Sequence, residues 1–196
     1  MKLLPAIAGR AYFTPGSYTT LLAAADKIYA VPFVAGKGGI TPDRIGVNVT
    51  TQGAGANCDV RFGIYADRNG RPGTLIGDFG AKTGLTSTGE HKVDIIGALR
   101  PFLWPGQLYW LAANFDGAAS TQPTVAALAT SVVPQEIAAY LGVADLASLP
   151  SSAATAGVGL RADLTYNISN ALPDGGDLTW AVQLNTAVAL VGLRAA

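Results

Sequence analysis

RIGVNVTTQGAGANCDVRFGIYADRNGRPG, residues 44–73, decides the fold class. Its first part alternates Ile45, Val47 and Val49 with Arg44, Gly46, Asn48 and Thr50. That is the period of two of a half-buried strand. Beyond the Gly-rich stretch at 53–56 the alternation resumes, with Cys58, Val60, Phe62 and Ile64 on one side and Asp59, Arg61, Gly63 and Tyr65 on the other. The spacing predicts two strands over 41–51 and 57–67, paired as an antiparallel hairpin. The second ends at Asp67-Arg68-Asn69-Gly70, where Asn69 and Gly70 tolerate positive φ and Pro72 restricts its neighbours, so the chain turns. On this register Phe62 and Ile64 point inward, and Arg61→Ala is expected to cost little.

Outward from this stretch the same pattern continues at steps of about 8 to 15 residues, the spacing of a sandwich or barrel. Strands are expected at 10–14, 27–34, 74–82, 90–96 and 107–115, and from Leu178 to Leu193 as one long or two consecutive strands. In Gln107–Phe115 both faces are apolar, which predicts a strand covered on both sides, with Trp110 in a core. Trp180 reads as core as well. Only 134–149 carries helical spacing, with Pro134 at its start, Glu136 in its first turn and Ile137, Tyr140, Leu141 and Val143 along one face. The expectation is an all-β, jelly-roll-like antiparallel β-sandwich with one short helix in a loop. It spans residues 21–196, and residues 1–20 form an N-terminal attachment segment hinged at Pro15-Gly16.

Composition excludes several functions. Of 196 residues, 13 are Lys or Arg and 13 are Asp or Glu, so the formal net charge is zero and no basic footprint for nucleic acid exists. No apolar run reaches the roughly 18 residues of a membrane span. The start, MKLLPAIAGR, is interrupted by Pro5 and Arg10 too soon for a secretory signal, so folding in the compartment of synthesis is expected. One cysteine, Cys58, and one histidine, His91, leave no internal disulfide and no expected metal or cofactor. Cys58 falls on an inward strand face, where free thiols are ordinarily inert. His91 reads as a strand-end residue held by hydrogen bonds or water. Without a nucleophile motif or a defined carboxylate pair, no enzyme is expected. The turns at 66–70 and 173–177 lack the acid spacing of a calcium loop, and the glycines at 36–39 lack Walker spacing.

Exposed aromatics carry more information. Trp104, between Leu103 and Pro105 in a turn, is the aromatic best placed to meet a ligand or partner, with Asn69 and Asp67 as polar companions.

The stretch from Arg44 to Ile76 resembles a β-sandwich segment that recurs in structural proteins of tailed bacteriophages. The likeness is carried by RIGVNVTT at 44–51, VRFGIYAD at 60–67 and the turn Gly70 to Gly73. Further on, Leu103 to Ala112 and ALVGLRA at 189–195 contribute to it. It covers about residues 28 to 116 and the C-terminal strand. These are strand and turn signatures and bring no functional residue with them. The resemblance implies a virion surface protein of fibre, spike or decoration type, assembled in the host cytoplasm. It further implies a homotrimer in contact with other virion proteins. Such a protein acts in assembly or decoration, or alternatively recognises a host cell-surface glycan.

Overall fold

The computed structural model describes residues 5–55, 58–129, 159–166, 169–183 and 187–196. Two antiparallel sheets face each other across an apolar core. The first (sheet A) is built from β1 (Ala11–Phe13), β2 (Tyr18–Leu22), β4 (Pro42–Thr51), β7 (Gly89–Asp94), β9 (Thr124–Ala129), β12 (Ala187–Ala189) and β13 (Gly192–Ala195). The second (sheet B) has the order β11-β10-β3-β8-β5-β6. Its strands are β3 (Lys27–Val34), β5 (Val60–Asp67), β6 (Pro72–Lys82), β8 (Leu108–Phe115), β10 (Leu160–Asp163) and β11 (Ala181–Val182). Among the described residues the only helical turns are two short 3-10 turns, Gly97–Leu99 and Gly175–Asp177. The helix expected over 134–149 lies outside the described residues.

Alternation places the core. Ile45, Val47 and Val49 of β4 meet Val60, Phe62 and Ile64 of β5, Tyr29, Val31 and Phe33 of β3, and Leu111, Ala113 and Phe115 of β8. The inward faces read from the sequence are the faces that are buried, Cys58 included.

The pairing of β4 with β5 is a correction. They lie in different sheets: β4 pairs with β13, β7 and β9, and β5 with β6 and β8. Two apolar faces satisfy each other equally well side by side or across a sandwich, and alternation alone does not distinguish the two. Between β4 and β5 the chain passes from one layer to the other. There the Gly53 amide donates to Leu85 O (2.9 Å), and a Cβ on Gly53 would collide with the Cys58 sulfur. The hairpin partner of β5 is β6, reached through Asn69 (φ 55°) and Gly70 (φ 75°), with Arg68 and Arg71 exchanging backbone hydrogen bonds at 2.7 and 3.2 Å. Two successive positive φ values make this a type I′ turn, whose twist matches the flanking strands.

Sheet B is covered on both sides. On its outer face Ile28, Ala30, Tyr65, Trp110 and Ala112 form a second buried cluster with Leu160, Ala162, Leu172 and Trp180. The two-sided burial expected of β8 has this cause.

The N-terminal part belongs to the sandwich from residue 11 onward: β1 pairs with β13 and β2 with β9. A division at residue 20 falls inside β2.

Candidate functional site

The loop from Pro101 to Gln107 is anchored inward at Leu103 and stays exposed over residues 104–107. Leu103 is fully buried and exchanges backbone hydrogen bonds with Ile40 at 3.0 and 2.8 Å, whereas Phe102 and Trp104 on either side are exposed. Trp104 is 65% exposed on a turn fixed at several points. Its amide donates to the Tyr109 hydroxyl (2.8 Å) and its carbonyl accepts from the Gln107 amide (3.3 Å). Pro105 at the second turn position and Gly106 (φ 72°) at the third meet the requirements of a type II turn. The Gly106 amide donates to Ala35 O (2.9 Å), which ties the turn to the end of β3. The indole stands edge-to-face on Phe102, with ring centroids 5.0 Å apart. The Phe102 ring in turn occupies the space a side chain on Gly39 would need: a Cβ there would lie 2.5 Å from Phe102 Cζ. Trp104 is thus an exposed ring on a rigid mount.

Asp67, at the end of β5, reaches the same place. Its Oδ1 accepts from Trp110 Nε1 (2.8 Å) and its Oδ2 from the Gly70 amide (3.2 Å), so the carboxylate is oriented and retains free lone pairs. Asp67 and Trp104, with Ala66, Pro105, Gln107, Leu108 and Tyr109, line an open depression of about 590 Å³. The structure therefore unites two of the three residues singled out in the sequence. Asn69 is the exception, since it serves the β5–β6 turn and does not line the depression. The sequence reading missed Gln107, an exposed amide directly after the Pro-Gly turn. The signal was present, since the closing residue of a type II turn that starts at an exposed Trp is carried to the same rim.

A second groove, about 260 Å³, crosses the outer face of sheet A between Phe13, Asn48, Leu190 and a set of charged residues. Its charges have partners of their own: Arg44 with Asp94 (2.8 Å), Lys92 with Glu90 (2.6 Å) and Arg194 with Asp43. They offer little to a ligand.

Elsewhere the reactive side chains have structural duties. Cys58 is buried with its sulfur 3.8 Å from Leu85 O, and burial, with a contribution from the nearby Asp59 charge, pushes its thiol pKa up, away from the reactive thiolate. His91 is buried in β7, and its Nε2 lies 2.8 Å from Ser87 O. Asp174 accepts from the Leu75 amide (2.7 Å) and fastens the 173–177 loop to β6. Among the described residues no three His, Cys, Asp or Glu side chains are grouped to hold a metal ion.

No family model and no curated protein matches the chain. Among solved structures it is similar to the clostridial cysteine protease Cwp84 after propeptide cleavage, at 12% identity and TM-score 0.47, covering 95% of this chain and 40% of that one. It is likewise similar to a structure of the cysteine protease and lectin-like domains of Cwp84, a surface layer associated protein of Clostridium difficile. There the identity is 12% and the TM-score 0.46, with 91% of this chain and 36% of that one covered. The chain thus spans about two-fifths or less of the length of these proteins.

Proposed function

We propose that this protein is a non-enzymatic surface component of a bacteriophage virion, of head or tail, and that it works by binding: the Trp104 depression recognises a host cell-surface glycan. The observation that carries the binding role is the rigidly mounted Trp104 ring beside an oriented carboxylate and an exposed amide. A sugar presents one apolar face and a rim of hydroxyls. An aromatic plane buries the first, while Asp67 and Gln107 accept from and donate to the second. The turn is held in place before any ligand arrives, so little ordering entropy opposes binding. The virion placement rests on the strand and turn signatures at 44–76 and 103–112, and assembly or decoration is the role that remains for the protein if the depression is idle.

The test is retention of the purified protein on immobilised host surface polysaccharide, with Trp104→Ala as the comparison. Trp104 is exposed, so its removal leaves the fold intact. Affinity is expected to fall by about tenfold or more, the scale of truncating an aromatic hot spot. Equal retention of both proteins overturns the assignment of the site. Absence of the protein from purified particles overturns the virion placement separately.

A further inference from the structure

Among the described residues, β2 (Tyr18–Leu22) is bonded on one side only. Its partner is β9, with Tyr18 opposite Leu128, Thr20 opposite Ala126 and Leu22 opposite Thr124. The Ala129 amide donates to Ser17 O (2.9 Å) and the Ala23 amide to Pro123 O (3.0 Å). In an antiparallel ladder bonded and non-bonded pairs alternate, so Ser17, Thr19, Leu21 and Ala23 face β9. The amides and carbonyls of Tyr18, Thr20 and Leu22 point away from it, and among the described residues no strand pairs with that side. Sheet edges are ordinarily guarded by a charge, a proline or a bulge. YTTLL has none of these, and Tyr18 (50%) and Leu22 (63%) are exposed on it. Tyr18 is also held in position, edge-on to Phe13 at 5.7 Å and with its hydroxyl donating to Thr14 O (3.0 Å).

We propose that β2 is the seam of a homodimer, in which the β2 strands of two copies pair antiparallel about a two-fold axis at Thr20 and join the two A sheets into one. Self-complementarity of the open edge points to a second copy as its partner. Three open residues spaced by two around Thr20 match their own reversed image: Thr20 meets Thr20, and Tyr18 meets Leu22 of the second copy, each as a bonded pair. On the outer face this sets an exposed aromatic ring against an exposed leucine, and on the inner face Thr19 stands opposite Leu21. The strand carries no charge, so the axis brings no like charges together. A two-fold seam gives a dimer in place of the trimer expected from the resemblance. It lies on the opposite sheet from the Trp104 turn, so either proposal can fail without the other.

Light scattering on the full chain across a concentration series is the test, with twice the 20.0 kDa chain mass as the expected upper limit. Thr20→Pro and Thr20→Lys leave the β2–β9 ladder intact, because the Thr20 amide does not face β9 and its side chain is exposed. Each is expected to move the monomer–dimer midpoint by about tenfold or more with unchanged circular dichroism. A bonded antiparallel pair places Cα atoms about 5.5 Å apart, within the span of a disulfide. Thr20→Cys therefore crosslinks to itself on oxidation, while Tyr18→Cys crosslinks only when mixed with Leu22→Cys. The native Cys58 is buried and does not compete. A monomer at every concentration, a trimer, or a dimer that survives Thr20→Lys and does not crosslink at position 20 overturns the proposal.

Discussion

Arg61 and Phe62 are adjacent in β5 and point to opposite faces of sheet B, and both are structural. Phe62 is fully buried between the sheets, so Phe62→Ala removes a ring and leaves a cavity, at a cost of about 3–5 kcal/mol. Arg61 was expected from the sequence to be expendable, and the structure corrects this. Its Nε donates to both carboxylate oxygens of Asp78 at 3.0 and 2.9 Å, and both side chains are only 11% exposed. Arg61→Ala leaves the Asp78 charge enclosed without that partner, so a loss of about 3–5 kcal/mol is expected. Urea denaturation of the two variants checks this, and a change below about 0.5 kcal/mol for Arg61→Ala, the scale of a surface substitution, would show the pair to be solvated. The alternation of β5 gave the correct side for Arg61. What it could not reveal was that this side is covered too, because the cover comes from residues about a hundred positions further along the chain. Trp104 was legible for the opposite reason: its exposure follows from a local turn, Trp-Pro-Gly-Gln, whose geometry is set by adjacent residues.

The elements that were readable are those with several alternations, as in β4 and β5, or a dense apolar run, as in β3 and β8. β2, β9 and β10 were not expected as strands. YTTLL and TVAALA show no clean alternation and LRAD is only four residues long, so each is a strand because of its partners. The segment that follows β10 also decides the fate of the outer face of sheet B. Trp180 is buried there, its Nε1 donating to Gly175 O (2.8 Å) and its ring edge-on to Tyr65 with centroids 6.3 Å apart. Leu172 packs beside it, directly over Gly63, where a Cβ would lie 2.6 Å from Leu172 Cδ1. The cover sits this low because β5 has no side chain at that point. Trp180→Ala is expected to cost about 3–5 kcal/mol, and to do so unevenly. Amide exchange should accelerate in β10 and β11 far more than in β4 and β7, which belong to the other sheet. Uniform acceleration would mean that the cover and the sandwich open as one unit.

At the scale of the molecule, the end of the chain is closed into the first sheet. β13 lies between β1 and β4, so the C-terminal strand is paired on both sides within sheet A. The β4–β13 contact carries an ion pair, in which Arg194 Nε donates to Asp43 Oδ1 (2.8 Å) and its Nη2 to Oδ2. The Arg194 guanidinium holds the Asp43 carboxyl below its ordinary value of 3.8. A carboxyl depressed in the folded state contributes stability that is present in full above its unfolded value. That contribution is lost as pH falls through the folded value. The melting temperature is therefore expected to decline as pH drops below about 4. Asp43→Asn should melt about 2–4 °C lower at neutral pH, the scale of a partly screened pair in a chain of this size. Its deficit should then shrink on acidification, because the protonated wild-type carboxyl comes to resemble the amide. The carboxyl of Asp163 is also depressed, by Lys27, but it stands in solvent, so its share is the part that added salt removes. Calorimetry of both proteins between neutral and acidic pH, with and without salt, separates the two. If the Asp43→Asn curve runs parallel to the wild type throughout, Asp43 does not govern the acid limb, and the closure of β13 onto β4 rests on its backbone ladder alone.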